Sequence, residues 1–222
     1  MWFRKQADAF EACGGQLIVA RDVSAAGHKE YGRMKISDVN QLGPGFVNEV
    51  IRTASVCRLY FDLEHPRVPD DIPDGTLIEE LVLGVRALLE QLYGIDCENC
   101  VPLIADSSTS KKFSRHVIFP VAFRNNWSHM RNFVNALLDR GVLPYTWTFT
   151  TRAGPIEKRC VDDGVYTKNR CFRMVGQSKW SDPTRVMRPL SGGSPADYLV
   201  QTEGRTPLEF VSKRLKAGVP RG

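Results

Sequence analysis

Short apolar runs and longer helical repeats follow one another along the chain, which predicts strands interleaved with helices. The most apolar run, residues 56–61, predicts a buried strand that ends at Asp62-Leu63-Glu64. Further strands are expected at 101–105 and 113–119, on either side of a Ser/Thr/Lys turn. With a helix between the first two strands, the middle of the chain has the order β-α-β-β.

Two helices carry the clearest periodic signal. The first has apolar residues at helical spacing, namely Leu77, Leu81, Val85, Leu88, Leu89 and Leu92. Thr76 and Glu79 match a capping box at its start, and Gly94 supplies its end. The second begins at Asn126 or Ser128 and ends before Gly141, and its apolar positions are Met130, Phe133, Val134, Leu137 and Leu138. A mixed α/β (α+β) sheet backed by helices is therefore the expected fold class.

The two ends of the chain are less regular. Residues 6–13 are compatible with a helix and residues 16–20 with a strand, whereas residues 21–35 are basic and turn-rich, as in a solvated loop or a surface offered to phosphates. After Lys179 the chain is rich in Pro, Gly and Ser. Further strand-like segments are expected near 145–150, 159–161 and 171–175.

Composition narrows the class of protein without naming its activity. The 222 residues are 42% hydrophobic and 25% charged, as in an ordinary globular protein and unlike a disordered or collagenous one. No apolar run approaches the roughly 18 residues of a membrane span, and the first residues do not form a signal peptide, so we expect a soluble, intracellular protein with no membrane partner. The net charge of +5 permits a nucleic-acid partner without requiring one.

The six cysteines do not form a recognisable metal or disulfide pattern. Only Cys97 and Cys100 are close together, and no second Cys or His pair follows at a finger-like distance. Cys57, Cys160 and Cys171 fall in apolar, strand-like segments, where free cysteine is a common core residue. We therefore expect neither a structural zinc nor a disulfide framework.

Two acidic residues end the most apolar strand. Asp62 and Glu64 are two positions apart, so their side chains point to the same face of the sheet. Carboxylates so close repel each other unless a cation lies between them, and oxygen ligands suit Mg²⁺ and Mn²⁺. A polymerising site uses two such ions. The D-x-E pattern alone also occurs by chance at many strand ends.

A basic segment opens the strand predicted at 113–119. Alternation places Lys112, Ser114 and His116 on one face, where a cation, a hydroxyl and an imidazole are suited to holding a triphosphate. Arg115 lies in the same segment and is included among the candidate nucleotide contacts. The alternative reading is a half-buried strand histidine beside a solvated lysine.

A third segment combines acids with closely spaced donors. Asp162 and Asp163 follow an apolar run, a turn comes next, and basic and polar residues then succeed one another, namely Lys168, Asn169, Arg170, Arg173 and Lys179. This order would bring one more carboxylate to the metals and more positive charge to phosphates. The plainer interpretation is that the arginines flank a strand and keep it soluble.

The order of the three segments resembles the PrimPol-type enzymes of the archaeo-eukaryotic primase superfamily. The matching sequences are Asp-Leu-Glu after the apolar strand, Lys-Phe-Ser-Arg-His-Val-Ile-Phe, and Val-Asp-Asp-Gly-Val-Tyr-Thr-Lys-Asn-Arg-Cys-Phe-Arg-Met with a later Ser-Lys. The resemblance covers residues 56–179 well, the N-terminal segment loosely, and the last forty residues hardly at all. It implies two modules around a cleft, of which the catalytic one is similar to an RNA-recognition motif (RRM).

The resemblance also implies roles for individual residues. Three acids would bind two Mg²⁺ or Mn²⁺ ions, namely Asp62, Glu64 and Asp162, although Asp163 stands where the family usually has an apolar residue. The candidate contacts to the incoming dNTP or NTP are Lys112, Ser114, Arg115, His116, Asn169, Arg170, Arg173 and Lys179. The implied activity is that of a DNA primase and DNA-directed DNA polymerase, a nucleotidyltransferase acting on a template and primer.

The expected domain organisation follows from the same likeness. Residues 1–55 would form a template-binding module completed by part of 120–158, residues 56–190 the catalytic module, and residues 191–222 a segment that packs or forms a tail. Single-stranded DNA would lie along a basic N-terminal surface, for which the candidates are Arg4, Lys5, Arg21, Lys29 and Arg33. Single-strand-binding proteins are possible partners.

Two other functions fit the same residues less completely. An RRM-like module without chemistry would display aromatic side chains for base stacking, and carboxylates in the middle of its sheet would repel a nucleic acid unless metals intervene. A metal-dependent nuclease needs the same acids but has no use for a triphosphate site. The chain also lacks a Cys/His cluster after the third segment, so we expect primer extension to be easier than initiation, with lesion tolerance possible.

Overall fold

The computed structural model describes residues 1–12, 16–67, 72–98, 100–151, 153–202 and 209–210. The helices are α1 (Gln6–Glu11), α2 (Ile36–Val39), α3 (Asp74–Tyr93) and α4 (Arg131–Asp139), the last preceded by a π-helical turn, Asn126–Met130. The strands are β1 (Trp2–Phe3), β2 (Leu17–Asp22), β3 (Lys29–Met34), β4 (Val47–Ile51), β5 (Cys57–Pro66), β6 (Leu103–Asp106), β7 (Lys112–Phe123), β8 (Thr146–Thr151), β9 (Gly154–Arg159), β10 (Arg170–Arg173), β11 (Arg188–Pro189) and β12 (Glu209–Phe210).

The first sheet contains the N-terminal strands and one strand from far along the chain. Its order is β1-β3-β2-β4-β10, and all of its pairings are antiparallel. Residues 170–173, which belong to the third motif, complete this sheet. The module boundaries, including the part of 120–158 expected to complete the N-terminal module, stay predictions.

The second sheet has the connectivity that the sequence predicted. Strands β5 and β6 both pair with β7 in antiparallel fashion, and α3 connects β5 to β6. After α4 the chain returns to the free edge of β5 through the bridge between Leu63 and Val161. The order β-α-β-β-α-β, with β5 in a central position, is that of an RRM-like or ferredoxin-like module. The fold is thus a mixed α/β one, consistent with the primase-polymerase fold.

Helix α3 packs on the face of the second sheet away from the acids. Its predicted core positions Leu77, Leu81, Val85, Leu88 and Leu89 are all buried. Its end was also predicted correctly, since Gly94 has φ 67°, a left-handed conformation that glycine adopts without a steric cost.

The predicted capping box of α3 was wrong. The helix begins at Asp74 after Pro73, and no side chain caps it. Thr76 therefore lies inside the first turn, where its hydroxyl cannot accept the bonds of an N-cap residue. The second helix is capped one residue earlier than predicted, because the Asn125 side chain accepts hydrogen bonds from the backbone amides of Ser128 and His129.

Three strands of the first sheet were missed by the sequence analysis. The basic segment 21–35 contains β3 rather than only a loop, and neither β1 nor β4 was predicted. Polar residues dominate β3, β1 is only two residues long, and Asn48 and Glu49 interrupt the apolar residues of β4. β3 and β4 are held by pairing with β2, whose Ile18, Val19 and Ala20 are fully buried, and β1 pairs with β3.

The first part of the C-terminal segment packs on the core. Leu199 and Val200 are buried, and the Glu49 carboxylate accepts hydrogen bonds from the backbone amides of Val200 and Gln201. Residues 203–208 and 211–222 lie outside the described part of the chain, so the choice between a packed segment and a tail there stays open.

Cysteines 57, 97, 100, 160 and 171 are free thiols, and Cys13 lies outside the described residues. No helix in the described part of the chain is both long and apolar enough to cross a membrane.

Candidate active site

The acids of β5 lie directly opposite the polar residues of β7. In the register of the two strands, Asp62 pairs with His116 and Glu64 pairs with Ser114. Residues directly opposite in an antiparallel pair share a face, so the side chains of both motifs point into the same space. The alternation that grouped Ser114 with His116 in the sequence is therefore confirmed.

The backbone holds Asp162 at the same edge. Its amide donates a hydrogen bond of 2.9 Å to the carbonyl oxygen of Asp62, and the amide of Glu64 donates one of 2.8 Å to the carbonyl oxygen of Cys160. These bonds form a short antiparallel ladder beside β5. Asp162 also starts a 3-10 turn, in which its carboxylate accepts a hydrogen bond from the amide of Gly164 at 3.0 Å. Asp162, which is distant in sequence from Asp62 and Glu64, is thus their neighbour along one sheet edge.

A cavity of about 340 Å³ opens between these acids and the first sheet. Asp62, Glu64 and Asp162 line one side of it. The other side consists of polar and basic residues of the first sheet and of the loop after it, among them Lys29, Asn48, Arg170, Arg173 and Lys179. The register of the first sheet explains this, because Asn48 pairs with Arg173 and the two side chains therefore share the face turned toward the acids.

The carboxylates disturb one another's protonation. Burial, together with the charges of Glu64 and Asp162, raises the pKa of Asp62 to about 7. His116 Nε2 lies 3.9 Å from an Asp62 carboxylate oxygen, which is too far for a hydrogen bond. An acid in this position is stabilised as a carboxylate by any cation that enters the cavity.

Glu64 has a partner of its own. Burial acts to raise its pKa, but the hydrogen bond and charge of Lys112 outweigh burial and lower the pKa overall. Lys112 Nζ lies 2.5 Å from Glu64 Oε2, and both side chains are partly exposed. Lys112 is not among the described residues that line the cavity, and its ammonium group is bound to Glu64 rather than free for a phosphate.

The basic side of the cavity is partly buried. Burial, with the positive charge of Arg173, lowers the pKa of Lys179. Burial, with the charges of Arg173 and Lys179, also lowers the pKa of His116 well below its ordinary value. Hence His116 is a neutral imidazole at physiological pH, whereas the two cations repel each other and favour an anion between them.

Arg173 is fixed by a chain of hydroxyl groups. Its Nη2 donates a hydrogen bond of 2.9 Å to Ser107 Oγ, and Ser107 Oγ lies 3.1 Å from Ser114 Oγ. Arg173 Nε is buried and has no hydrogen-bond partner in the described residues. An unpaired guanidinium nitrogen beside a cavity is a donor available to an anionic ligand.

His116 is held by stacking. Its ring lies on the ring of Phe172, with centroids 3.9 Å apart and planes inclined by 20°. Phe172 belongs to β10 and His116 to β7, so this contact joins the two sheets directly behind the cavity. The imidazole therefore has one orientation relative to the acids.

The donor chemistry of the acids fits hard divalent cations, although the side chains are turned to other partners. Among the described residues, no group of three or more Asp, Glu, His and Cys side chains is close enough to hold a metal ion as they stand. Glu64 is bound to Lys112 and Asp162 to its own turn. An all-carboxylate set whose charges oppose one another nonetheless suits Mg²⁺ or Mn²⁺ better than zinc.

Arg115 and Asn169 lie outside the lining of the cavity. Arg115 follows Ser114, so alternation turns it to the opposite face, where it pairs with Asp74 at 2.9 Å and Asp106 at 3.1 Å. Asn169, with φ 49°, accepts a hydrogen bond from the amide of Thr53 through its side-chain oxygen. Both positions point to structural roles, in contrast to the nucleotide contacts that the sequence suggested.

The five candidate template residues do not form one surface of free charges. Lys29 lines the cavity and pairs with Asp22. Arg21 pairs with Glu30 at 2.7 Å, and Arg33 donates to the carbonyl oxygen of Ala12. Arg4 and Lys5 are exposed.

A second cavity next to the acids was missed by the sequence analysis. It measures about 240 Å³, and Glu64, Asp162 and Asp163 line it together with Trp147, Lys158 and other residues of the β8–β9 hairpin. The hairpin sequence alternates polar and apolar residues like any exposed hairpin, so only the folded structure brings Lys158 to the acids. Asp163 faces this cavity, whereas Asp162 lines both.

Comparison with known proteins supports the likeness read from the motifs. No family model matches the chain. The chain is 34% identical over 170 residues to a DNA-directed primase/polymerase protein of Danio rerio, an alignment that covers 59% of this chain and 31% of that protein. It is 31% identical over 180 residues to the Mus musculus protein of the same name, with 59% of this chain and 33% of that protein covered.

The human protein of that name is 43% identical over a shorter stretch of 94 residues, which covers 40% of this chain and 17% of the human protein. The chain thus spans about a third of the length of the first two relatives. The likeness to these relatives agrees with the order of the acidic and basic motifs along the chain. It also agrees with a fold that brings these motifs together. The chain is a homologue of DNA-directed primase/polymerase proteins over that shared part of their length.

Proposed function

We propose that this chain is a DNA primase and DNA-directed DNA polymerase, adding nucleotides to a primer on single-stranded DNA. One observation carries the proposal. Asp62 and Glu64 of β5, together with Asp162 beside them, face Arg173 and Lys179 across a single cavity. The acids suit metal ions, and the two cations suit a triphosphate. A primase-polymerase name shared by the relatives supports the same activity.

In this proposal the incoming dNTP or NTP lies with its phosphates against the basic side of the cavity. Arg173 offers its unpaired Nε, Lys179 supplies a point charge, and the Ser114 hydroxyl donates to a phosphate oxygen. The neutral imidazole of His116 donates one hydrogen bond without adding charge. These donors hold the α-phosphorus in line between the attacking and the leaving oxygen.

Asp62, Glu64 and Asp162 would hold two Mg²⁺ or Mn²⁺ ions. Such ions lower the pKa of the primer 3′-hydroxyl and neutralise the charge that develops on pyrophosphate. Lys112 balances the charge of Glu64 in the ion-free protein through their 2.5 Å contact. Release of this lysine from Glu64 would leave it close enough to the cavity to contact a phosphate.

The single-stranded template would pass the first sheet, held mainly by its phosphates and therefore sensitive to salt. Arg4 and Lys5 are the exposed candidates for this surface. Priming, lesion bypass and contacts with single-strand-binding proteins are further proposals for this chain. A nuclease would use the acids, but it would give Arg173 and Lys179 no triphosphate to bind.

Primer extension with and without the acids tests the proposed activity. Wild-type protein should extend a labelled primer on a DNA template with Mg²⁺ or Mn²⁺ and dNTPs. The variant Asp62→Ala/Glu64→Ala should lose extension by at least about a thousandfold, as expected when the metal ligands of a phosphoryl transfer are removed, and should still bind single-stranded DNA. Lys111→Ala, at an exposed position next to the same strand, should extend normally. Extension by the double variant at the wild-type rate would refute the role of the acids.

A further inference from the structure

Two cavities meet at Glu64 and Asp162. The larger one contains Arg173 and Lys179, and the smaller one lies against the β8–β9 hairpin. Glu64 and Asp162 line both cavities, so these two carboxylates form the boundary between them. A ligand in one cavity therefore reaches the same acids as a ligand in the other, from a different side.

The hairpin presents Trp147, the basic side chains of Lys158 and Arg159, and the acidic Glu157 to the smaller cavity. In its register Trp147 lies directly opposite Lys158, so both side chains occupy the same face. Trp147 is half-buried against the main core, with its ring centroid 6.4 Å from that of His65 at the end of β5. This packing anchors the hairpin beside the strand that carries the acids.

Lys158 is exposed at this position and lines the same cavity as Glu64 and Asp162. Its nitrogen lies over the ring of Phe149, 5.2 Å from the centroid. Within the part of the chain that the structure describes, Lys158 has no salt bridge. Among the described residues, four carboxylates line this cavity beside its two cations and repel anions, so the cavity suits one singly charged internucleotide phosphate better than a triphosphate.

The geometry of phosphoryl transfer requires two ligands on opposite sides of the acids. The leaving pyrophosphate and the attacking hydroxyl lie in line on either side of the α-phosphorus. If the triphosphate occupies the cavity with Arg173 and Lys179, the hydroxyl must approach from the boundary formed by Glu64 and Asp162. The smaller cavity lies on that side.

We propose that the smaller cavity binds the 3′-terminal nucleotide of the primer, with Lys158 contacting the last internucleotide phosphate and Trp147 flanking the terminal sugar. The inference rests on the proposed polymerase function and assigns its second substrate site. The primer 3′-hydroxyl loses its proton to solvent water as its oxygen forms a bond to the α-phosphorus, and the bond from that phosphorus to the bridging oxygen breaks, so that pyrophosphate leaves. Lys158 is a positioning residue for the primer and takes no part in nucleotide binding.

Steady-state primer extension separates the two substrates. Lys158→Ala should raise the KM for primer-template about five- to tenfold, the usual effect of losing one charge-assisted contact near the surface, and should leave the KM for dNTP within about twofold of wild type. Lys111→Ala removes an exposed lysine outside both cavities and serves as the matched control. Because Lys158 is exposed, both variants should melt at the wild-type temperature.

A chemical change in the DNA identifies the contacted phosphate. A primer whose last internucleotide linkage is an uncharged methylphosphonate should bind wild type as poorly as the normal primer binds Lys158→Ala, and the two changes combined should cost no more than either alone. Additive losses, or a raised KM for dNTP in Lys158→Ala, would overturn the inference. Failure of the proposed function would look different, because wild type would then extend no primer.

Discussion

At the scale of single residues, Asp62 shows how the site is adapted to a ligand. Its carboxylate sits between two other acids and is only 19% exposed, with its nearest cationic candidate a neutral imidazole at 3.9 Å. Burial and repulsion raise its pKa to about 7, so the folded protein without cations favours the protonated form. Because the charged form of Asp62 is destabilised in this way, binding of a cation beside its carboxylate is favoured.

This preference predicts a pH-dependent stability. The folded protein holds the Asp62 proton up to about pH 7, whereas the unfolded chain releases it near pH 3.8, so the folded state binds more protons in between. The free energy of unfolding should therefore fall as pH rises through this window. In a chelating buffer Asp62→Asn should be more stable than wild type at pH 8 by about 1–2 kcal/mol, and nearly equal at pH 4.5.

Urea denaturation of both proteins at the two pH values measures this difference. Asp106→Asn serves as the control, because Asp106 is paired with Arg115 on the other face of the sheet. It should not gain stability at pH 8. Equal stability of Asp62→Asn and wild type at pH 8 would show that the three carboxylates do not repel one another as the structure indicates.

At the scale of elements, helix α3 was predictable because its apolar residues repeat at helical spacing and its end has a glycine. Strand β5 and strand β7 were predictable for a similar reason, since most of their residues are buried on both faces. Strand β3 escaped prediction because pairing with β2, rather than an apolar pattern, holds residues such as Lys29 and Glu30 in place. Strand β4 escaped it because the strand is short and Asn48 and Glu49 interrupt its apolar residues.

The glycines of α3 give a prediction about packing. A Cβ at Gly84 would lie 2.6 Å from a methyl group of Val142, whereas a Cβ at Gly75 would have no neighbour within 4 Å. Alanine has the higher helix propensity at both positions. We expect Gly75→Ala to stabilise the protein by about 0.5–1 kcal/mol, and Gly84→Ala to destabilise it by about 1–2 kcal/mol through overpacking.

Thermal or urea denaturation of the two single variants checks this pair. The opposite signs are the informative result, because a general effect of alanine in the helix would have one sign. A stabilised Gly84→Ala would mean that Val142 moves aside at little cost and that the contact between α3 and the segment after α4 is loose.

At the scale of the whole molecule, the site depends on β10. This strand completes the N-terminal sheet through Arg173 and Cys171, while Phe172 stacks on His116 of the other sheet. Residues 170–173 of the third motif therefore belong to the first sheet, and Arg173 among them lines the cavity opposite the acids. The sequence supplied the residues of the three motifs, mostly through family resemblance, because spacing alone does not show that Asp162 lies beside Asp62.

Other parts of the site could not be read from the sequence. Arg115 and Asn169 match the family pattern, yet hydrogen bonds commit both to the scaffold. Lys158 has no motif of its own, because its role follows from where the hairpin folds. Position along the chain thus predicted the acids and several donors, and tertiary packing decided which of the neighbouring polar residues face the cavity.

The most direct test of the account is binding of a nonhydrolysable dNTP to the protein with Mn²⁺, measured by isothermal titration for wild type and Asp162→Ala. Asp162 is distant in sequence from the other acids, so its contribution tests the convergence of the three motifs. The account predicts that Asp162→Ala weakens Mn²⁺-dependent nucleotide binding at least tenfold, the effect typical of losing a charged ligand, while single-stranded DNA binding stays unchanged. Wild-type nucleotide affinity in Asp162→Ala would contradict it.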